Sequence, residues 1–190
     1  KFDAAHIVRN CSTDLCKYNV HGHSFEMEVF LSSNKLDNGG MVVDFGLLKG
    51  TIKEFIESFD HCYIYWNKES KDNIEAIKHL SKRWIELPIS PSAESLALMF
   101  YFLIDKILQN TEFNNGEGNI KLQSVRVHET KTGYAEAFNT DLINWWRYSL
   151  DDIKFSDEII KTWKNSNMFD DLKQGIKFIN PKVEQQIKKI

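Results

Sequence analysis

From His23 to Ser33 the chain alternates: Phe25, Met27, Val29 and Leu31 fall on one side, Ser24, Glu26, Glu28 and Phe30 on the other. A period of two demands an extended strand with one face turned to a core. The rest of the pattern is built around that strand. Lys1 to Val8 reads as a short strand ending near Arg9. Asp37-Asn38-Gly39-Gly40 is a turn signal, and Met41 to Phe45 after it predicts a second strand and an antiparallel hairpin. Asp44 can cap a helix in which Leu47, Leu48, Ile52, Phe55, Ile56 and Phe59 recur at helical spacing. A short helix is expected around Ile74 to Leu80, and Pro88 and Pro91 bracket a break. Ser92 or Ala93 starts an apolar helix towards Leu108, a loop covers Asn114 to Asn119, and Ile120 to Thr130 and Tyr134 to Phe138 read as strands. This order predicts an α+β fold, an antiparallel sheet with helices packed on one face.

At 190 residues and 42% hydrophobic content the chain can bury a real core. We expect residues 1–139 to form the catalytic domain. Residues 140–190 are rich in Lys, Asp, Ile and Trp, and are expected to form a C-terminal helical extension packed on the core. Its Trp145, Trp146 and Trp163 are expected to cover the outside of an oligomer. A net charge of −3 gives no reason to expect nucleic acid or a membrane surface as partner, so an anionic ligand would need local cations. Arg9, Lys17, Lys49 and Lys131 are the candidates. No apolar run approaches a membrane span, no signal-peptide pattern opens the chain, and Cys11, Cys16 and Cys62 are too irregular for a disulfide framework. A reducing, cytoplasmic setting is expected.

The chemistry concentrates at His21-Gly22-His23. Two histidines two apart on an extended segment point the same way. A third, His6, lies on the preceding strand beside the small Ala4 and Ala5. If the strands pair, three imidazoles meet, and three neutral histidines with an open fourth position describe a catalytic zinc site. On the residues alone, ordinary hydrogen-bonded histidines remain an equal reading.

A series of ordered motifs adds to this. Phe2-Asp3-Ala4-Ala5-His6, Cys16 ahead of His21-Gly22-His23-Ser24-Phe25, and Gly40-Met41-Val42-Val43-Asp44-Phe45 with Leu48-Lys49 come first. Phe59-Asp60-His61, Pro91-Ser92-Ala93-Glu94 and His128-Glu129-Thr130 follow. Together they resemble the 6-pyruvoyl-tetrahydropterin synthase and 6-carboxytetrahydropterin synthase family. The resemblance implies the tunnelling fold, a homo-oligomer (trimer or hexamer) with active sites between subunits, and 7,8-dihydroneopterin triphosphate as substrate. It implies Zn2+ on His6, His21 and His23, Cys16 as general base, and Asp60 with His61 as its proton relay. Glu129 would hold the pterin, with Glu94 and Ser92 supporting the pocket. A thiolate base and a carboxylate-oriented imidazole suit these roles, and a carboxylate can accept two parallel hydrogen bonds from the pterin edge.

The segment Lys17 to Val20, between Cys16 and His21, is intermediate in length between the carboxy and pyruvoyl types. His23-Ser24-Phe25 and Val43-Asp44-Phe45 look more like the carboxy type. The expected product is therefore 6-carboxy-5,6,7,8-tetrahydropterin, on the route to queuosine. Elimination of triphosphate to the pyruvoyl product is the alternative, and a non-catalytic pterin-binding relative is the third reading.

Overall fold

The computed structural model describes residues 1–179. In chain order the elements are β1 (Phe2–His6), α1 (Asp14–Tyr18), β2 (His21–Ser32) and α2 (Phe45–Leu47). A π-helical turn (Leu48–Ile52) leads into α3 (Lys53–Glu57), β3 (Cys62–Trp66), α4 (Lys71–Leu80), β4 (Trp84–Leu87) and α5 (Ala93–Gln109). Then come β5 (Thr111–Glu112), β6 (Lys121–His128), β7 (Tyr134–Phe138), α6 (Asn139–Trp145), β8 (Lys154–Phe155), α7 (Asp157–Ile160), α8 (Met168–Gln174) and β9 (Phe178–Ile179).

Seven strands form one sheet in the order β7-β6-β2-β1-β3-β4-β8. It is mixed α+β and mostly antiparallel, but β1, β3 and β4 run parallel to one another. The alternation in β2 becomes its two faces. Phe25 is fully buried, Met27, Val29 and Leu31 are half-buried, and Ser24, Glu26, Glu28 and Phe30 are exposed. Phe25 stacks on Phe2 at 5.1 Å between ring centroids, joining β2 to β1 across the core. Over this face lies α5. Ser92 caps it by accepting from the Ser95 backbone N–H at 3.3 Å, and Tyr101 anchors it to β6 by donating to the Leu122 carbonyl at 3.1 Å.

The structure corrects the hairpin. Met41 to Phe45 forms no strand, because Asp37 draws this segment into a compact turn: its Oδ1 accepts from the backbone N–H of Gly39 and of Met41, each at 2.8 Å. A side chain that satisfies the backbone locally competes with a strand ladder. Asp44 does cap the following helix, accepting from Gly46 N–H at 2.5 Å.

The segment after Asn139 is not helical throughout, and residues 180–190 of the expected extension lie outside the described residues. Its β8 adds an antiparallel edge to β4, and Lys154 there reaches the buried carboxylate of Glu86 at 2.6 Å. Trp146 packs on Phe102 of α5 at 5.1 Å, and Trp163 packs against Phe55 and Phe155 at 5.8 and 5.3 Å. Both indoles belong to the core of this chain, at 7% exposure each, and do not cover an outer surface; Trp145 alone of the three is exposed, at 72%. Their apolar area needs burial, and Phe55 of α3, Phe102 of α5 and Phe155 of β8 supply it.

Candidate active site

The register of β1 on β2 builds the centre. His6 lies opposite His21, and Ala4 opposite His23, so all three imidazoles share the face that carries Phe25. Their rings approach to 4.5–5.4 Å between centroids, and one nitrogen from each lies within 4.8 Å of the others. Gly22 sits on the other side, where an added Cβ would meet the Ala4 carbonyl oxygen at 3.0 Å, so the close strand approach favours glycine.

Two backbone carbonyls orient the trio. His6 Nδ1 donates to the Pro91 carbonyl at 2.6 Å, and His21 Nδ1 donates to that of Asn19 at 3.0 Å. A carbonyl only accepts, so each Nδ1 carries the hydrogen and each Nε2 presents a lone pair, as metal-binding histidines do. His6 is 0% exposed and its Nε2 has no hydrogen-bond partner. Burial pushes its pKa down to about 4; the Pro91 carbonyl opposes this, and neighbouring His21 and His23 lower it further. A buried, neutral and unpartnered imidazole nitrogen aimed at two more histidines fits a bound metal ion, because an orphaned polar atom otherwise costs stability.

Glu129, just past β6, brings Oε1 to 3.6 Å from His6 Nε2 and 3.7 Å from His23 Nε2. It therefore stands at the rim of the trio. Cys16 lies half-buried in α1, with its carbonyl accepting from Val8 N–H at 3.0 Å. Asp60 and His61 face elsewhere. Asp60 Oδ1 accepts from Asp3 N–H at 2.8 Å, and its Oδ2 lies 3.0 Å from His61 Nδ1. Burial pushes the Asp60 carboxyl up, but the Asp3 N–H, His61 and Arg83 together hold it below the usual range. His61 lines a pocket with Asp3, Ala5, Gly22 and Ser24, which alternate away from the trio, and with Ala4 and His23. Within one chain, then, the structure joins Asp60 to His61 but brings neither to Cys16 in any hydrogen bond or ion pair among the described residues.

Ser92 is occupied as the cap of α5, and Glu94 lies exposed on the first turn, lining a separate pocket with Leu98, Glu136 and Trp145. Arg9 is committed to Glu69, and Lys17 lies 5.0 Å over the Tyr18 ring. Cys62 is buried; its thiol donates to the Phe59 carbonyl at 2.9 Å, and burial pushes its pKa far up, which suits a structural thiol. What the sequence reading missed are the orienting carbonyls of Pro91 and Asn19, which any residue type could supply, and Glu69, which no spacing marks.

A model of the family described as 6-pyruvoyl tetrahydropterin synthase matches residues 1–140. A relative from Helicobacter pylori strain J99, named 6-carboxy-5,6,7,8-tetrahydropterin synthase, is 46% identical over 172 residues, covering 89% of this chain and 86% of that protein. A solved structure of an uncharacterized protein from Wolinella succinogenes is similar with a TM-score of 0.55 and 22% identity, over 73% of this chain and 93% of that one. The crystal structure of 6-pyruvoyl tetrahydropterin synthase from Plasmodium vivax is similar with a TM-score of 0.52 and 19% identity, over 72% and 89% of the two chains. At these identities the two structures speak for the fold. The Helicobacter relative, covering 89%, also shares part of the segment after Asn139.

Proposed function

The chain belongs to the 6-pyruvoyl tetrahydropterin synthase family, and we propose that it converts 7,8-dihydroneopterin triphosphate to 6-carboxy-5,6,7,8-tetrahydropterin, using one zinc ion held by His6, His21 and His23. The observation that carries this reading is the unpartnered Nε2 of buried His6 facing two further imidazoles. The name of the Helicobacter relative favours the carboxy product, and with it a place on the queuosine route. Three cysteines without a disulfide support a reducing, cytoplasmic setting.

Zinc on three histidines supplies a Lewis acid that makes a substrate hydroxyl more acidic. The rest falls to the chain. Glu129, at the rim of the trio, accepts hydrogen bonds from the amino-pyrimidinone edge and sets the pterin side chain over the histidines. Cys16 removes the side-chain proton. His61 carries protons, and Asp60 fixes its tautomer by accepting a hydrogen bond from Nδ1–H, leaving Nε2 free to exchange. Because no hydrogen bond or ion pair among the described residues joins Asp60 or His61 to Cys16 of their own chain, they serve the site of a neighbouring copy, so the working unit is a homo-oligomer. Ser92 supports the site by fixing the start of α5, whereas Glu94 faces a separate pocket on that helix and takes no part.

The test is to incubate metal-loaded protein with dihydroneopterin triphosphate and identify products by mass spectrometry. Carboxytetrahydropterin with acetaldehyde supports the proposal. A pyruvoyl product overturns the choice of product and keeps the site. Zinc bound with no turnover points to a pterin-binding protein instead.

A further inference from the structure

α1 carries Cys16 yet has little to hold it in place. Its five residues bury no side chain, and Thr13 at its N-cap makes no capping bond. A helix this short has no stability of its own. Two hydrogen bonds from the segment just past β1 hold it: Val8 N–H to the Cys16 carbonyl at 3.0 Å, and Arg9 Nη1 to the Lys17 carbonyl at 2.7 Å. Arg9 is itself gripped by Glu69, through Nε to Oε1 at 2.5 Å and Nη2 to Oε2 at 3.0 Å. The Glu69 side chain is only 6% exposed, and Asn73 donates to its Oε2 at 3.0 Å. The Arg9 carbonyl accepts from Ser90 Oγ at 3.2 Å, next to Pro91, whose own carbonyl orients His6. One strut thus meets both the Cys16 helix and the segment that aims the first histidine.

We propose that the Arg9–Glu69 pair is a positioning clamp that sets the Cys16 thiol against the histidine trio. The inference rests on the reading of Cys16 as the base. Arg9 spends its guanidinium on Glu69 and Lys17, so it takes no part in holding phosphate. Lysine cannot replace it, because one ammonium cannot give a bidentate pair and a third, divergent hydrogen bond in one plane.

The test uses the full chain with Cys11→Ser, which leaves Cys16 as the accessible thiol beside buried Cys62. Arg9→Lys and Glu69→Gln are each compared with that parent for zinc content, kcat, KM and the pH profile of Cys16 alkylation by iodoacetamide. The clamp predicts zinc content unchanged and KM within about twofold, since ground-state binding is untouched. It predicts kcat lower by roughly 10- to 100-fold in Arg9→Lys, the scale set by misplacing a reacting group by about 1 Å. The alkylation profile should shift in the same variants, with Glu69→Gln milder because it keeps an acceptor oxygen. Alkylation does not depend on turnover: full activity of Cys16→Ala sinks the base, while the profile still reports the clamp. Unchanged kcat and alkylation in either folded variant overturn the proposal, and so does a raised KM at constant kcat, which marks Arg9 as a substrate contact. If Arg9→Lys does not fold, Glu69→Gln decides on the same readouts.

Discussion

Replacing Trp163 by alanine tests whether the segment after Asn139 is part of the core. The indole is 7% exposed, packs on Phe55 and Phe155, and donates from Nε1 to Ser58 Oγ at 2.7 Å. Emptying a site of this size costs about 3–5 kcal/mol, most of it lost packing and cavity. Trp163→Phe keeps an aromatic ring and removes the hydrogen bond. Ser58 Oγ still donates to the Glu54 carbonyl at 2.9 Å, so the hydroxyl is not orphaned and the cost falls to about 1–2 kcal/mol. Ser58→Ala does the reverse: it strands a buried indole N–H, at about 1–3 kcal/mol. Urea unfolding followed by fluorescence and by far-UV circular dichroism gives all three values. Trp163→Ala costing less than about 1 kcal/mol would refute the packing argument, since that is the range of surface changes. A separate early transition for this segment would refute it as well.

Other consequences follow from the site. In chelator-treated protein His6 stays neutral down to about pH 4, whereas in the unfolded chain it protonates near its ordinary 6.5. The unfolded state then binds the extra proton, so stability is full above 6.5 and falls as pH drops towards 4, by about 3 kcal/mol in all. Urea midpoints at pH 7, 6 and 5 should show this slope, and His6→Gln should flatten it; an unchanged slope contradicts the buried neutral imidazole. Glu129→Gln should keep its metal and raise KM for the pterin, and loss of metal instead would make Glu129 a ligand. Cys16→Ala and His61→Ala should each be inactive alone yet recover activity when unfolded together and reassembled, because sites between copies can draw one intact half from each. No recovery in a mixed oligomer would place the relay within one chain.

Some of this was legible in the sequence for physical reasons. Alternation in β2 shows because one of its faces is buried and the other is not, and α5 shows because its apolar residues recur over a long span. β3 and β4 escaped. Their sequences, Cys62–Trp66 and Trp84–Leu87, are short, and the parallel pairing that buries such strands leaves little alternation to read. The false strand at Met41 to Phe45 has good β-forming residues, but Asp37 decides the local backbone. β8 has two residues and no pattern at all. At the site, the histidine trio was legible because strand geometry converts spacing into direction. Asp60 and His61 were recognisable as a pair from the motif they share, but whether they reach Cys16 of the same chain depends on how β1, β2 and β3 are arranged, which no local pattern states.

The most direct test of the central claim is the metal content of the purified full chain by elemental mass spectrometry, beside His21→Ala and His23→Ala. The account predicts about one zinc per chain in the parent, removable by chelator together with pterin turnover and restored with it, and loss of that zinc in both folded variants. A parent that turns over the pterin substrate without metal, or histidine variants that keep a full complement of zinc, would contradict it.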